Sequence, residues 1–213
     1  MKKQFAVKGT FAHTPELEGF EFLEDSWLLC EDGKVSGIYK ELPDVYKDIE
    51  IYDYTGKMII PGMIDLHIHA PQYSFHGMGQ NIEKPEWESW FDTYCVPAES
   101  RYKELDFAVK SYERLAEDLL HTTTSRLAVF ATIHREATEV LMDILDKKGF
   151  AAYVGKVNMD RNSMDGLIET TEETIRETRL FIENTKDRYE NIKPIITPRY
   201  VPTCTDECLK GLS

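Results

Sequence analysis

Pro61-Gly62-Met63-Ile64-Asp65-Leu66-His67-Ile68-His69-Ala70 is the stretch whose reading decides the fold. A Pro-Gly turn opens it, and beyond the turn polar and apolar residues alternate. On a strand, successive side chains point to opposite faces. Asp65, His67 and His69 therefore share one face, while Ile64, Leu66 and Ile68 share the other. The apolar face suits packing on helices. The polar face carries two imidazoles at the C-terminal end of the strand, where barrel enzymes place their chemistry. Neutral imidazoles are good zinc ligands, and two on one rigid strand are preorganised for a single ion. An H-x-H pair alone is more often metal-free, so the surrounding pattern has to carry the reading.

Outward from that strand the chain alternates. Short apolar runs lie at 58–69, 127–133, 151–159 and 192–200. Between them apolar residues recur every three or four positions, as in Leu105, Ala108, Tyr112, Leu115 and Leu119, and again in Ala137, Val140, Leu141, Ile144 and Leu145. That spacing predicts helices, and Gly149 stands where the second should stop. Thr170 and Glu173 form a capping box ahead of a third helix. Strand–helix alternation predicts parallel strands and an α/β fold. Residues 1–57 differ. Runs at 20–23, 26–30, 34–39 and 49–54 read as strands, and Asp32-Gly33 is a hairpin signal. Too few strands lie there for an independent domain, so this sheet is expected to need partners from elsewhere. Residues 81–101 read as a loop holding Trp87, Trp90, Phe91 and Tyr94, side chains that suit either a pocket mouth or anchoring of the loop.

Composition narrows the partners. The chain has 213 residues, with 25 Lys+Arg against 38 Asp+Glu, a formal net charge of −13. A polyanion is repelled at long range, so neither nucleic acid nor an anionic membrane is an expected partner. The longest apolar run, 58–64, is far too short to span a bilayer. Cys30, Cys95, Cys204 and Cys208 form no C-x-x-C pair. A reduced, cytoplasmic protein is the simplest expectation.

With these residues in view, the chain resembles the amidohydrolase superfamily of metal-dependent barrel hydrolases through Pro-Gly-x-x-Asp-x-His-x-His. Within it, the chain is most similar to the guanine deaminase family. His67-Ile68-His69-Ala70-Pro71-Gln72-Tyr73-Ser74-Phe75, Phe130-Ala131-Thr132-Ile133-His134, Val154-Gly155-Lys156-Val157-Asn158-Met159-Asp160 and Pro194-Ile195-Ile196-Thr197-Pro198-Arg199-Tyr200 look like that family's first four barrel-strand segments. The resemblance implies the first half of a metal-dependent (β/α)8 TIM barrel over residues 58–213, preceded by part of a small β-sandwich domain over 1–57. It implies guanine as the small-molecule substrate, zinc as the metal, a homo-oligomer in the complete enzyme and a place in purine catabolism. By the same resemblance His67 and His69 match metal ligands. Gln72 and Arg199 match residues that hold the purine, and Tyr200 matches the aromatic beside it. A guanidinium fork and an amide suit a purine's acceptors, and an aromatic face suits its π surface. The family's catalytic Glu, third and fourth histidine and aspartate ligands belong to later strands. The chain is therefore expected to be an incomplete, inactive fragment.

Other readings stay open. The chain can be an amidohydrolase for another amino-heterocycle or cyclic amide, or a non-catalytic half-domain. His134-Arg135-Glu136 with Pro202, Cys204 and Cys208 partly imitates the H-x-E and P-C-x-x-C pattern of zinc deaminases. Its spacing is wrong, so His134 is read as a helix start and the cysteines as reduced thiols. His76 is read as a loop histidine. His13 and His121 have no constellation around them.

Overall fold

The N-terminal stretch forms four strands, β1 (Gln4–His13), β2 (Glu21–Glu31), β3 (Lys34–Tyr39) and β4 (Glu50–Ile59). They make one sheet in the order β3-β2-β1-β4, with β1 antiparallel to β2 and parallel to β4. This is a computed structural model, and it describes residues 4–79 and 90–213. The chain divides into two compact units, Met1–Pro61 and Gly62–Ser213. In the first unit Ala6, Phe11, Ala12, Leu29 and Cys30 are buried. Asp32 and Gly33, both at positive φ, make the β2–β3 hairpin turn that the sequence predicts. The runs 20–23 and 26–30 are one strand rather than two. Its register with β1 slips between Gly9 and Phe11, and Asp25 takes φ 40° at that irregularity.

The apolar run 58–69 also divides differently. Met58 and Ile59 close β4, and β5 (Met63–His69) begins after the Pro61-Gly62 turn. From β5 the second unit runs through α1 (Val96–Ser100), α2 (Leu105–Leu119), β6 (Thr124–Phe130), α3 (Arg135–Lys147), β7 (Ala151–Asn158), α4 (Thr171–Thr185), β8 (Ile192–Pro198) and α5 (Asp206–Leu212). The strands pair in parallel in the order β5-β6-β7-β8. The capping box at the start of α4 forms, with the Thr170 side chain accepting from the Glu173 N–H. Within 81–101 the part from Trp90 onward is helical, not loop. A π-helical turn over Phe91–Cys95 runs into α1. Trp87 lies outside the described residues.

One face of this sheet packs on the helices. Leu127, Val129, Ala152, Val154 and Ile192 meet Ala108, Tyr112, Leu115, Ala137, Leu141, Leu145 and Phe181 in one core. Lys156 is wholly buried beneath α4, where its ammonium donates to Glu169 Oε2 at 2.6 Å. Of the expected helix-facing residues of β5, only Ile68 packs against that core. Ile64 and Leu66 stay exposed, and β5 is an edge strand of the sheet.

Strands β7 and β8 approach closely at Gly155. A Cβ placed there meets Thr197 Oγ1 at 1.7 Å and Thr197 Cβ at 2.6 Å. Gly155→Ala should therefore force Thr197 or the strand to move, at about 1–3 kcal/mol of stability by the usual cost of overpacking. Chemical denaturation of the variant checks this. An unchanged midpoint would show that Thr197 yields freely.

Candidate functional site

His67 and His69 sit at the C-terminal end of β5, as strand alternation requires. Their Nε2 atoms are 3.1 Å apart. Two imidazole nitrogens bound tetrahedrally to one zinc at about 2.0–2.1 Å would lie roughly 3.3 Å apart, so the pair fits a common ion. Phe130, at the end of β6, backs both rings. His69 stacks on it with centroids 4.7 Å apart, and His67 lies 4.9 Å away, tilted. Burial pushes the His69 pKa down to about 4, and the Arg199 charge adds to this. The ring is thus neutral at pH 7, the form that ligates a metal. Its Nδ1 is buried with no hydrogen-bond partner among the described residues. Asp65 is engaged locally, its Oδ1 accepting from the His67 N–H at 3.0 Å. Among the described residues no cluster of three or more His, Cys, Asp or Glu side chains is arranged to hold an ion.

Gln72 follows on the 3-10 turn Ala70–Phe75. That turn is anchored from below, since the buried Tyr102 hydroxyl donates to the Pro71 carbonyl at 3.0 Å. Gln72 Nε2 donates to Glu99 Oε1 at 3.3 Å. Glu99, on α1, is only 2% exposed. Its other oxygen faces Arg199 Nη1 at 3.6 Å, an ion pair slightly too long for a hydrogen bond. The Arg199 guanidinium lies 5.1 Å from the Phe91 ring centroid, a cation–π distance. Arg199 leaves the end of β8 with its side chain buried, whereas the neighbouring Tyr200 is 55% exposed. Both line a cleft of about 620 Å³ together with Phe91, Met159 and Met164. Gln72 and His69 line a second hollow, of about 270 Å³, with Tyr73, His76 and Trp90. Glu99 links the two groups.

The structure thus joins Gln72 and Arg199 through one carboxylate, holds His67 against His69, and leaves Tyr200 at the cleft surface. Glu99 and Phe130 have no functional role in the sequence reading, whereas Phe91 is among the aromatics given there to a pocket mouth or to anchoring. Glu99 falls there in the stretch 81–101 read as a loop. Its signal was the apolar run Tyr94-Cys95-Val96-Pro97-Ala98 directly before it.

His134 is the residue before α3, at the helix start as expected, and its side chain makes no capping hydrogen bond. Arg135 pairs with Glu136, Glu139 and Glu177. Cys204 and Cys208 are buried with Leu212 in a small core of their own. Burial pushes the Cys208 thiol up to about 12, and its charged neighbour Asp160 adds to this, so the thiolate that would bind a metal is disfavoured.

Residues 58–213 match the model of the amidohydrolase family. A guanine deaminase of Dictyostelium discoideum is 36% identical over 223 residues, covering 96% of this chain and 49% of that protein. The human guanine deaminase is 37% identical over 216 residues, covering 96% of this chain and 47% of that protein. A crystal structure of guanine deaminase from C. acetobutylicum, with guanine bound in its active site, superposes with a TM-score of 0.90 at 41% identity. It covers 98% of this chain and 49% of that one. The chain therefore spans about half the length of the curated relatives it matches.

The neutral histidines also make a pH prediction. Burial lowers the His134 pKa to about 4, against about 6.5 for an unfolded histidine. The unfolded chain then binds more protons between those values, so His134 stability is present above about pH 6.5 and is lost as pH falls toward 4. His134→Gln should flatten that acid slope in denaturation curves taken at several pH values. An unchanged slope would mean His134 is freely hydrated.

Proposed function

We propose a function that proceeds from one premise: the chain belongs to the amidohydrolase family. The reading is that it supplies the N-terminal half of a cytoplasmic guanine deaminase, residues 58–213 being the first half of its barrel and 1–57 part of its β-sandwich. The reaction would be guanine plus water giving xanthine plus ammonia. One ring-carbon-to-amine C–N bond breaks, one C–O bond forms, and a proton passes to the leaving amine.

His67 and His69 would hold the metal, with zinc the favoured ion for a site of imidazole nitrogens. When bound, such a metal acidifies water so that a nucleophile exists at neutral pH. Phe130 backs both rings, stacked on the partly buried His69 and tilted against the exposed His67. Gln72 and Arg199 would orient the purine, and Tyr200 would lie against its face. Holding the ring in one pose converts binding into rate, because the reacting carbon no longer has to find its geometry. The remaining ligands and the proton-transferring carboxylate are assigned to the length that the relatives have and this chain does not span. The complete enzyme is read as a homo-oligomer.

The observation that carries the proposal is the pair of Nε2 atoms 3.1 Å apart, on the same sheet as a buried Arg199 linked to Gln72. Joined to that remaining half, the chain should release ammonia from guanine. His69→Ala should abolish both tight zinc binding and turnover, since one imidazole is too few. Arg199→Lys should lower kcat/KM for guanine by roughly 100-fold, because lysine lacks the planar fork. Alone, residues 1–213 should show neither activity nor stoichiometric zinc. Elemental analysis and an ammonia-release assay check all four. Retained zinc in His69→Ala, or equal turnover of cytosine, would overturn the reading.

A further inference from the structure

We propose that Glu99 is a positioning residue that sets the hydrogen-bond polarity of the substrate pocket. It commits the Gln72 amide to present its carbonyl oxygen to the ligand, and it holds the Arg199 guanidinium so that an N–H remains free for the ligand. The proposal rests on reading Gln72 and Arg199 as purine contacts.

The argument begins with burial. A carboxylate 2% exposed is costly unless it is paired. Glu99 meets that cost with two partners on different segments. Oε1 takes the Gln72 amide N–H, and Oε2 faces the Arg199 guanidinium. Burial pushes the Glu99 pKa up, while the Arg199 charge and the Gln72 hydrogen bond oppose that rise. An ionised carboxylate only accepts hydrogen bonds. In the structure the nitrogen end of the Gln72 amide faces Glu99, and a carboxylate paired with Arg199 would hold it there, leaving the oxygen end available.

Arg199 completes the pattern. The side chain is only 10% exposed, yet its buried Nη1 makes no hydrogen bond within normal distance among the described residues. A buried donor left unsatisfied costs about 1–3 kcal/mol. Phe91 beneath the guanidinium steadies its plane. Nη1 is thus turned to Glu99 and sealed from solvent, so the acceptor offered to a ligand would come from Gln72, which lines the neighbouring hollow, and the donor from the part of Arg199 that lines the cleft. The matching ligand edge offers an N–H to the first and an oxygen or ring-nitrogen lone pair to the second. An oxopurine meets both demands. A ligand bearing only acceptors would leave Gln72 Oε1 facing a lone pair.

Glu99→Gln is the deciding variant in the complete enzyme. It keeps the shape, removes the charge that faces Arg199, and offers Gln72 an amide that can donate, so the Gln72 amide is free to turn over. The KM for guanine should rise roughly 10- to 100-fold, the range expected for losing a hydrogen bond to a charged group, with kcat changing less. The melting temperature should stay close to wild type. Glu99→Ala should raise KM at least as far. A crystal structure of Glu99→Gln reads the same point without turnover, as a displaced Gln72 amide or Arg199 guanidinium. Wild-type KM together with unmoved Gln72 and Arg199 would overturn the proposal. A fall in stability with unchanged KM would make Glu99 a purely structural residue and would overturn it too. Wild-type enzyme inactive on guanine would instead sink the function assigned above, and the variant's crystal structure would still decide the role of Glu99.

Discussion

Parallel pairing of β5 through β8 is the constraint on which the rest depends. In a parallel sheet covered by helices, one side chain in two is consumed by the core, here Leu127 and Val129 on β6 and Ala152 and Val154 on β7. The alternate residues point away from the helices. Because the strands run the same way, their C-terminal ends lie together. His69, Phe130 and Arg199 come from the ends of three strands, and the first two stack face to face. Gly155 belongs to the same constraint, since β7 and β8 can pair only where no Cβ meets Thr197.

Low dielectric then sharpens what the strands bring together. The same burial that keeps His69 neutral raises the cost of leaving Glu99 or Arg199 without the other. Arg199 acts on both, repelling a proton from His69 and attracting charge onto Glu99. His69 and the candidate purine contact Arg199 are thus electrostatically coupled even though they line different hollows. Cys95, also in this environment, is pushed up to about 12 by burial and by Glu99, which keeps it a thiol and out of the chemistry.

Much of this was legible in the residues. The spacing of Leu105 through Leu119 and of Ala137 through Leu145 is helical, and both helices form. Thr170 and Glu173 cap α4 as read. H-x-H on a strand places both imidazoles on one face without further information. What escaped is non-local. No strand was read over Gln4–His13, because its burial follows pairing with β2 and β4 and is not strictly alternate. Glu99 carries only the apolar run before it as a local sign of burial; its partners, Gln72 27 residues before it and Arg199 far beyond it in the chain, are non-local. Phe130 reads as one more apolar residue of a strand until the histidines stack on it. Tyr200 was legible as an aromatic beside Arg199, but its exposure depends on how β8 ends.

The central claim is that the strand ends of this sheet hold one metal against a purine whose orientation they dictate. Anomalous diffraction from crystals of the complete protein, grown with zinc and guanine, tests it directly. The account predicts one zinc peak within about 2.1 Å of Nε2 on both His67 and His69. It also predicts a purine within hydrogen-bond distance of Gln72 Oε1 and an Arg199 N–H. A zinc peak away from the two histidines, or a purine bound without either contact, would contradict it.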